Sequence, residues 1–185
     1  MCSRSLENWN CPLKLCSHLY FSGVAPDAEI FVVRVFDEFG DFLPDAIYSS
    51  DLIAAADICR ENGANVISAS IGGSTYNPQE DDFFSTLFDE GILTVAAAGN
   101  SGNDNMVYPA SYEKVISIGA SDQTGEMAGF STLNDYTNLL APGTNIKSTY
   151  KTTEYESFTG SSFSVPHVSG ALALMISQRP ESTPQ

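Results

Sequence analysis

Basic residues are scarce in this chain. Among its 185 residues, 8 are Lys or Arg and 23 are Asp or Glu, which gives a formal net charge of −15. Proteins bind nucleic acids and anionic membrane surfaces through basic faces that displace counterions. The charge balance therefore excludes nucleic acid and an anionic membrane as expected partners, and it supports solubility.

Long apolar runs are also absent. No window offers the roughly 20 consecutive apolar residues of a membrane-spanning helix, and the first residues lack the continuous apolar core of a signal peptide. Apolar residues nevertheless make up 43% of the chain, and charged residues make up 17%. These proportions are typical of a single globular domain with a sizeable core.

Cysteine and histidine are too few to define a disulfide framework or a complete metal site. Cys2, Cys11 and Cys16 crowd the first residues, whereas Cys59 lies in a predicted helix, where we expect a small core residue. Cys11, Cys16 and His18 could form part of a zinc site, but no second pair of ligands follows. We therefore assign no metal ligands, and the cysteines leave the redox compartment open.

Runs of β-branched and apolar residues predict the strands of a covered parallel sheet. The first such run is predicted to be buried on both faces, and the runs span residues 30–36, 66–71, 93–98 and 115–120. Beyond residue 123 the pattern changes to short polar strands. These include a predicted ribbon formed by residues 146–149 and 155–158.

Helical patterns separate these strands. One helix is predicted from a serine cap at residue 49 or 50 to residue 62, and a second from residues 77–78 to residue 91. The first has an apolar stripe formed by Leu52, Ala55, Ala56 and Cys59, and a final helix is predicted to run to about residue 178. The alternation of strands and helices predicts an α/β fold with a mostly parallel sheet and right-handed crossovers.

A turn of small residues leads into the final helix. Residues 160–170 have the sequence Gly-Ser-Ser-Phe-Ser-Val-Pro-His-Val-Ser-Gly, which places Ser162 where the helix begins. Backbone N–H groups at a helix start have no intrahelical partner and carry partial positive charge. A serine there lies beside donors that can stabilise a developing oxyanion, so Ser162 is the candidate nucleophile.

This segment resembles the catalytic-serine motif of the subtilisin-like serine proteases, the subtilases, which is normally Gly-Thr-Ser-Met-Ala-x-Pro-His-Val-Ala-Gly. The order and spacing match, with conservative departures at Ser161, Phe163, Ser164 and Ser169. The resemblance implies a three-layer subtilisin-like α/β fold in which helices flank a mostly parallel central sheet. It also implies a serine endopeptidase that works through an acyl-enzyme intermediate.

Two further segments resemble subtilase sequences at the ends of predicted strands, where functional groups collect in a parallel sheet. By position, Asn100 in Ala-Gly-Asn takes the role of the side-chain oxyanion donor, although a Gly-Asn turn is the structural alternative. The resemblance assigns Val107, before Tyr-Pro, to the far wall of the specificity pocket, where valine should disfavour large aromatic groups. The residues assigned to substrate binding are Ser70, Ile71, Gly72, Gly73, Ala98, Gly99 and Val107.

A general base is the missing part of the pattern. His167 lies five residues after Ser162 on the same helix, and the matching histidine of the family is a helical residue, so we expect a packed, hydrogen-bonding side chain. His18 lacks the glycines and the spacing of the family's base motif. The family's aspartate segment would precede Met1, so the chain as given lacks recognisable catalytic aspartate and histidine.

The resemblance covers residues 23–179, which we interpret as a partial subtilase catalytic domain between a divergent segment, residues 1–22, and a truncated tail, residues 180–185. It implies polypeptide substrates, no cofactor for the chemistry, calcium in the full family domain, a monomer and an extracellular location. Two alternatives stay open. The chain could be an inactive pseudo-protease that keeps a peptide-binding channel, or a product that does not fold alone because a sheet without its first strand exposes an edge.

Overall fold

A parallel sheet of four strands lies at the centre of the structure. The computed structural model describes residues 22–35, 45–150 and 154–179, with side chains of the first helix from residue 51 onward. The strands are β1 (Val66–Ala69), β2 (Leu93–Ala97), β3 (Val115–Ser121) and β4 (Thr137–Pro142), hydrogen-bonded in that order. All three pairings are parallel, so the carboxyl ends of the strands lie at one edge of the sheet.

Helices cover both faces of this sheet. They are α1 (Asp45–Glu61), α2 (Pro78–Asp89) and α3 (Ser161–Gln178). Alternate residues of β2 point to opposite faces: Ala96 packs in a core cluster with α1 and α2, whereas Val95 and Ala97 pack in a second cluster with Val165 of α3. The result is three layers, and the predicted α/β fold with a mostly parallel sheet is confirmed.

The second helix begins and ends close to the predicted residues. The Asn77 side chain caps it by accepting hydrogen bonds from the Gln79 and Glu80 N–H groups at 2.8 and 3.3 Å. Gly91 follows the helix with a φ of 89°, a left-handed conformation that favours glycine. Phe84 and Leu87 fix the helix to the sheet, since their side chains are 1% and 0% exposed.

A short ribbon brings the chain back to the carboxyl edge of the sheet. It pairs β5 (Ile146–Tyr150) with β6 (Glu154–Phe158) in antiparallel register, which confirms the predicted ribbon. Its last residues lead directly into Gly160 and the start of α3. The Gly160 N–H donates to the Gly143 carbonyl at 2.8 Å, so the turn before α3 is tied to the end of β4.

Four sequence predictions were wrong in part. Residues 30–35 have no strand assignment, and Ile30 is 73% exposed although Val33 is buried. A strand needs a paired neighbour, and β1 pairs only with β2 among the described residues. Helix α1 already begins at Asp45, because serine is tolerated inside a helix and need not cap it.

The remaining corrections concern β4 and Cys59. Strand β4 extends the parallel sheet, although its sequence lacks the continuous apolar run of a fully buried strand; Leu139 and Leu140 are exposed at this edge. Cys59 is half-buried, whereas Leu52, Ala55 and Ala56 of the same predicted stripe are buried. The predictions for Cys2, Cys11, Cys16, His18 and Phe36 fall outside the described residues.

A buried carboxylate joins α2 to the segment before β3. Glu80 lies in the first turn of α2 and is only 2% exposed. The Tyr112 hydroxyl donates to Glu80 Oε2 at 2.6 Å, and it lies 3.2 Å from the Asn77 backbone nitrogen. Burial, followed by the hydrogen bond to Glu80, raises the pKa of Tyr112 far above its usual value. The hydroxyl therefore stays protonated as the donor.

We expect Tyr112→Phe to lower the free energy of unfolding by about 1–3 kcal/mol, because it removes the donor to a buried carboxylate. Urea denaturation measures the loss. Tyr76→Phe is the matched control: its hydroxyl also donates to an acid, Asp81, at 2.9 Å, but the residue is 52% exposed. The control should change stability by less than about 0.5 kcal/mol. Equal losses in the two variants would contradict a special role for the buried pair.

None of the helices in the described ranges combines the length and the apolar character that a membrane crossing demands.

Candidate active site

The ends of β1 and β2 meet the start of α3 at the carboxyl edge of the sheet. Ser162 is the second residue of α3 and is half-buried. Its hydroxyl donates to the Ser70 carbonyl, just beyond β1, at 3.3 Å. The Ser70 hydroxyl in turn donates to the Ser162 carbonyl at 2.7 Å. The candidate nucleophile is therefore joined to the strand end by two reciprocal hydrogen bonds.

Asn100 lies on the other side of the same turn. Its Oδ1 accepts a hydrogen bond from the Ser161 N–H at 2.7 Å. This donor fixes the orientation of the side-chain amide, because only the oxygen can accept from an N–H. The amide nitrogen Nδ2 then lies close to Gly160, where a Cβ would be 3.3 Å from it. The structure thus brings Asn100 and Ser162 together around one helix start.

Two residues that were not predicted as site residues form hydrogen bonds to the segment around Asn100. The Ser161 hydroxyl accepts from the Gly99 N–H at 3.3 Å, and Ser161 is fully buried. Thr132, also fully buried, donates its N–H to the Gly99 carbonyl at 3.0 Å and accepts from the Ser101 N–H at 3.3 Å. Ser161 occupies the threonine position of the motif, which was a usable signal. Thr132 gave none, because its contact joins segments about thirty residues apart.

The glycines beyond β1 have two different environments. Gly73 and Tyr108 exchange two backbone hydrogen bonds of 2.8 Å in an antiparallel bridge, so the backbone of Gly73 is already paired. Gly72 is exposed, and successive residues of an extended strand direct their backbone groups to opposite edges. In an extended backbone, the N–H and carbonyl of Gly72 would thus face the edge opposite to Tyr108.

Val107 fills the gap between the two glycine segments. A Cβ on Gly72 would lie 2.5 Å from Val107 Cγ1, and a Cβ on Gly99 would lie 3.0 Å from Val107 Cγ2. Gly99 also has a φ of 112°, which favours glycine. Val107 is half-buried, so part of it remains accessible to solvent.

The side chains of Ile71 and Ala98 lie elsewhere. Ile71 packs in the core cluster with α1 and α2, and Ala98 is 1% exposed, with its N–H donating to the Ile118 carbonyl at 2.9 Å. Among the residues predicted to bind substrate, Ser70 contacts Ser162, Gly99 contacts Ser161, and Val107 lies against both Gly72 and Gly99. The Ile71 and Ala98 side chains are buried, so they do not line the surface beside Ser162.

No described side chain near Ser162 has the geometry of a general base. His167 Nδ1 lies 2.8 Å from the Phe163 carbonyl one turn earlier in α3, so this histidine is committed to its own helix. Burial raises the pKa of Tyr108, which keeps that phenol neutral. Within residues 22–35, 45–150 and 154–179, no three His, Cys, Asp or Glu side chains converge as metal ligands do.

A serine at the start of α3 thus lies beside an asparagine amide, over the carboxyl edge of the parallel sheet. The family model of the subtilase family, Peptidase S8, matches residues 6–185. The chain therefore belongs to the subtilase family. The family model matches from residue 6 onward, whereas the resemblance in sequence motifs begins at Gly23.

Two named proteins are similar to this chain in amino-acid sequence. Thermitase from Thermoactinomyces vulgaris is 38% identical over 157 residues, which cover 85% of this chain and 54% of the relative. Subtilisin DY from Bacillus licheniformis is 35% identical over 162 residues, covering 85% of this chain and 57% of the relative. The chain thus spans little more than half the length of these two proteins.

Solved structures confirm the subtilisin-like fold. The S218A mutant of the protease domain of PatA superposes with a TM-score of 0.81 at 28% identity, over 91% of this chain and 63% of that one. A cold-adapted subtilisin-like serine proteinase gives a TM-score of 0.78 at 28% identity, over 87% and 58%.

Proposed function

We propose that this chain carries the nucleophile and the oxyanion site of a subtilisin-like serine endopeptidase. The observation that carries the proposal is the 2.7 Å hydrogen bond from the Ser161 N–H to Asn100 Oδ1. It leaves Asn100 Nδ2 as a donor beside the helix start that bears Ser162. Residues 23–179 form the catalytic unit in this proposal.

Ser162 Oγ attacks the carbonyl carbon of the scissile peptide bond, and the carbonyl oxygen becomes negatively charged. Asn100 Nδ2 and the Ser162 N–H then donate to that oxygen, as two donors fixed before the reaction begins. Collapse of the tetrahedral intermediate breaks the C–N bond and leaves an ester on Ser162. Water hydrolyses this acyl-enzyme in a second addition and elimination.

The serine proton needs an acceptor, and the leaving amine needs a donor. His167 does not supply them, because its Nδ1 faces the Phe163 carbonyl. In this proposal the base and its orienting acid come from outside the described residues. Until a base engages the hydroxyl, Ser162 Oγ stays on the Ser70 carbonyl at 3.3 Å.

An extended polypeptide is the substrate class that fits the cleft. Gly72 is exposed and directly precedes the bridge between Gly73 and Tyr108, and in this proposal its N–H and carbonyl pair with the substrate as an added strand. Val107 lies between Gly72 and Gly99 and shortens the pocket beside the scissile bond. We therefore assign small side chains, rather than aromatic ones, to the residue before the cleaved bond.

Labelling with a fluorophosphonate tests the proposal, because the reagent forms a covalent bond with an activated serine. We expect mass spectrometry of the labelled chain to locate the phosphonyl group on Ser162. Ser162→Ala should abolish the label, while Ser177→Ala, a change on an exposed residue of the same helix, should leave it intact. A cooperatively melting protein that takes no label at Ser162 would contradict an activated nucleophile.

A second function is favoured by one specific contact. The Ser162 hydroxyl is bonded to the Ser70 carbonyl rather than to a base among the described residues, which suits a peptide-binding pseudo-protease. Such a protein would bind an extended peptide without turnover. Peptide binding with neither labelling nor hydrolysis would select this function over the first.

Three properties follow from the family rather than from this site. We propose an extracellular monomer, and a full family domain that gains stability from calcium without using it in the chemistry. The described residues supply no cluster of acidic ligands, so no calcium site is assigned to them.

A further inference from the structure

A proline interrupts the backbone hydrogen-bond pattern of α3 one turn after the candidate nucleophile. Pro166 lies inside this helix, four residues after Ser162. An α-helical carbonyl accepts from the N–H four residues later, and proline has no N–H to donate. The Ser162 carbonyl therefore has no donor from its own helix at that position.

The Ser70 hydroxyl takes the place of that donor. It donates to the Ser162 carbonyl at 2.7 Å, across 92 residues of sequence. Ser70 follows Ala69, the buried last residue of β1, so the donor is held by the central sheet. The bond is partly buried, which limits competition from water.

We propose that Ser70 is a positioning residue for Ser162. Its hydroxyl compensates for Pro166 and holds the Ser162 main chain in the orientation that presents both the N–H and Oγ to a substrate carbonyl. Asn100 holds the preceding N–H from the other side of the turn, at Ser161. The start of α3 is thus fixed between the ends of β1 and β2.

The two hydrogen bonds between Ser70 and Ser162 have different fates in the reaction. Acylation converts the Ser162 hydroxyl to an ester, so Oγ can no longer donate to the Ser70 carbonyl. The bond from the Ser70 hydroxyl to the Ser162 carbonyl involves no reacting atom and persists through every step. This role rests on the proposed function, and it leaves the Ser70 backbone available for the predicted substrate binding.

The test is a double-mutant cycle on the second-order rate constant for fluorophosphonate labelling of Ser162. Ser70→Ala should lower this rate constant about tenfold, the equivalent of one lost hydrogen bond. Ser70→Thr, which keeps a hydroxyl, should recover most of the loss. Pro166→Ala restores a backbone N–H within reach of the Ser162 carbonyl. In that background Ser70→Ala should cost less than about threefold.

Equal losses from Ser70→Ala in the two backgrounds would overturn the proposal, because a merely structural serine has no reason to be rescued by an amide at position 166. A thermal melt of each variant separates a folding defect from a positioning defect.

Amide hydrogen exchange distinguishes failure of this proposal from failure of the proposed function. The Phe163 N–H donates to the Gly160 carbonyl at 3.0 Å within the same turn. Ser70→Ala should accelerate its exchange about tenfold, and the Pro166→Ala background should suppress the effect. This readout needs no reactive serine, so it remains decisive even in a protein that takes no label. An unchanged exchange rate of the Phe163 N–H in Ser70→Ala would contradict the proposal that Ser70 positions Ser162.

Discussion

Replacing Asn100 by alanine is expected to lower the rate constant for labelling of Ser162 by about 10²–10³-fold, the established cost of losing one oxyanion donor in a protease of this family. The physical reason is that Nδ2 faces the helix start while Oδ1 is occupied by the Ser161 N–H at 2.7 Å. A second-order labelling rate, measured under excess reagent, gives the effect directly.

The alanine variant also loses the contact to Ser161, so a second variant separates the two roles. Asn100→Asp keeps an oxygen that accepts from the Ser161 N–H, but it puts a negative charge where the oxyanion forms. It should be at least as slow as Asn100→Ala, with a melting temperature close to that of the unmodified protein. Asn103→Ala, in the same exposed loop, should have no effect on labelling. Full reactivity in Asn100→Asp would contradict the role of Nδ2.

Replacing Val107 by glycine is expected to change substrate preference. The variant removes the two methyl groups that lie against Gly72 and Gly99, and it lengthens the pocket between those segments. The ratio of kcat/KM for peptides with phenylalanine before the scissile bond to those with alanine should rise by about 10–100-fold, since even one methylene group in an apolar pocket changes discrimination by at least about tenfold.

Val107→Ala supplies an intermediate point and should produce an intermediate ratio. If the pocket assignment is wrong, all three proteins will show the same preference. A preference for aromatic residues in the unmodified protein would also contradict the assignment. In a protein without turnover, the affinities of the corresponding peptides give the same comparison.

Much of the fold could be predicted because its signals are local. The Asn77 cap, the Pro78 start and the Gly91 stop lie within or beside one helix, and all three match the structure. Residues 93–97 and 115–121 contain apolar runs that only a covered strand can bury, and both are strands of the central sheet. Residues 30–35 have a similar composition but no strand assignment, since a strand also requires a neighbour that composition cannot reveal.

The residues of the candidate site could be predicted where a sequence motif contains them. Contacts between segments that are distant in sequence could not be predicted. Ser162 and Asn100 came from position in family segments, and the structure brings them together through Ser161. Ser70 was predicted to belong to the substrate-binding segment, but nothing in the sequence indicated that its hydroxyl donates to a carbonyl 92 residues away. No sequence periodicity encodes such a pair, because it exists only after the sheet and α3 have packed.

The most direct test of the shared site is a crystal structure with a peptide boronic acid bonded to Ser162 Oγ, which forms a tetrahedral adduct resembling the reaction intermediate. We expect one boronate oxygen within about 3 Å of both Asn100 Nδ2 and the Ser162 backbone nitrogen, with the peptide backbone paired to Gly72. An adduct whose oxygen atoms face solvent, with the Asn100 amide turned away from them, would contradict it.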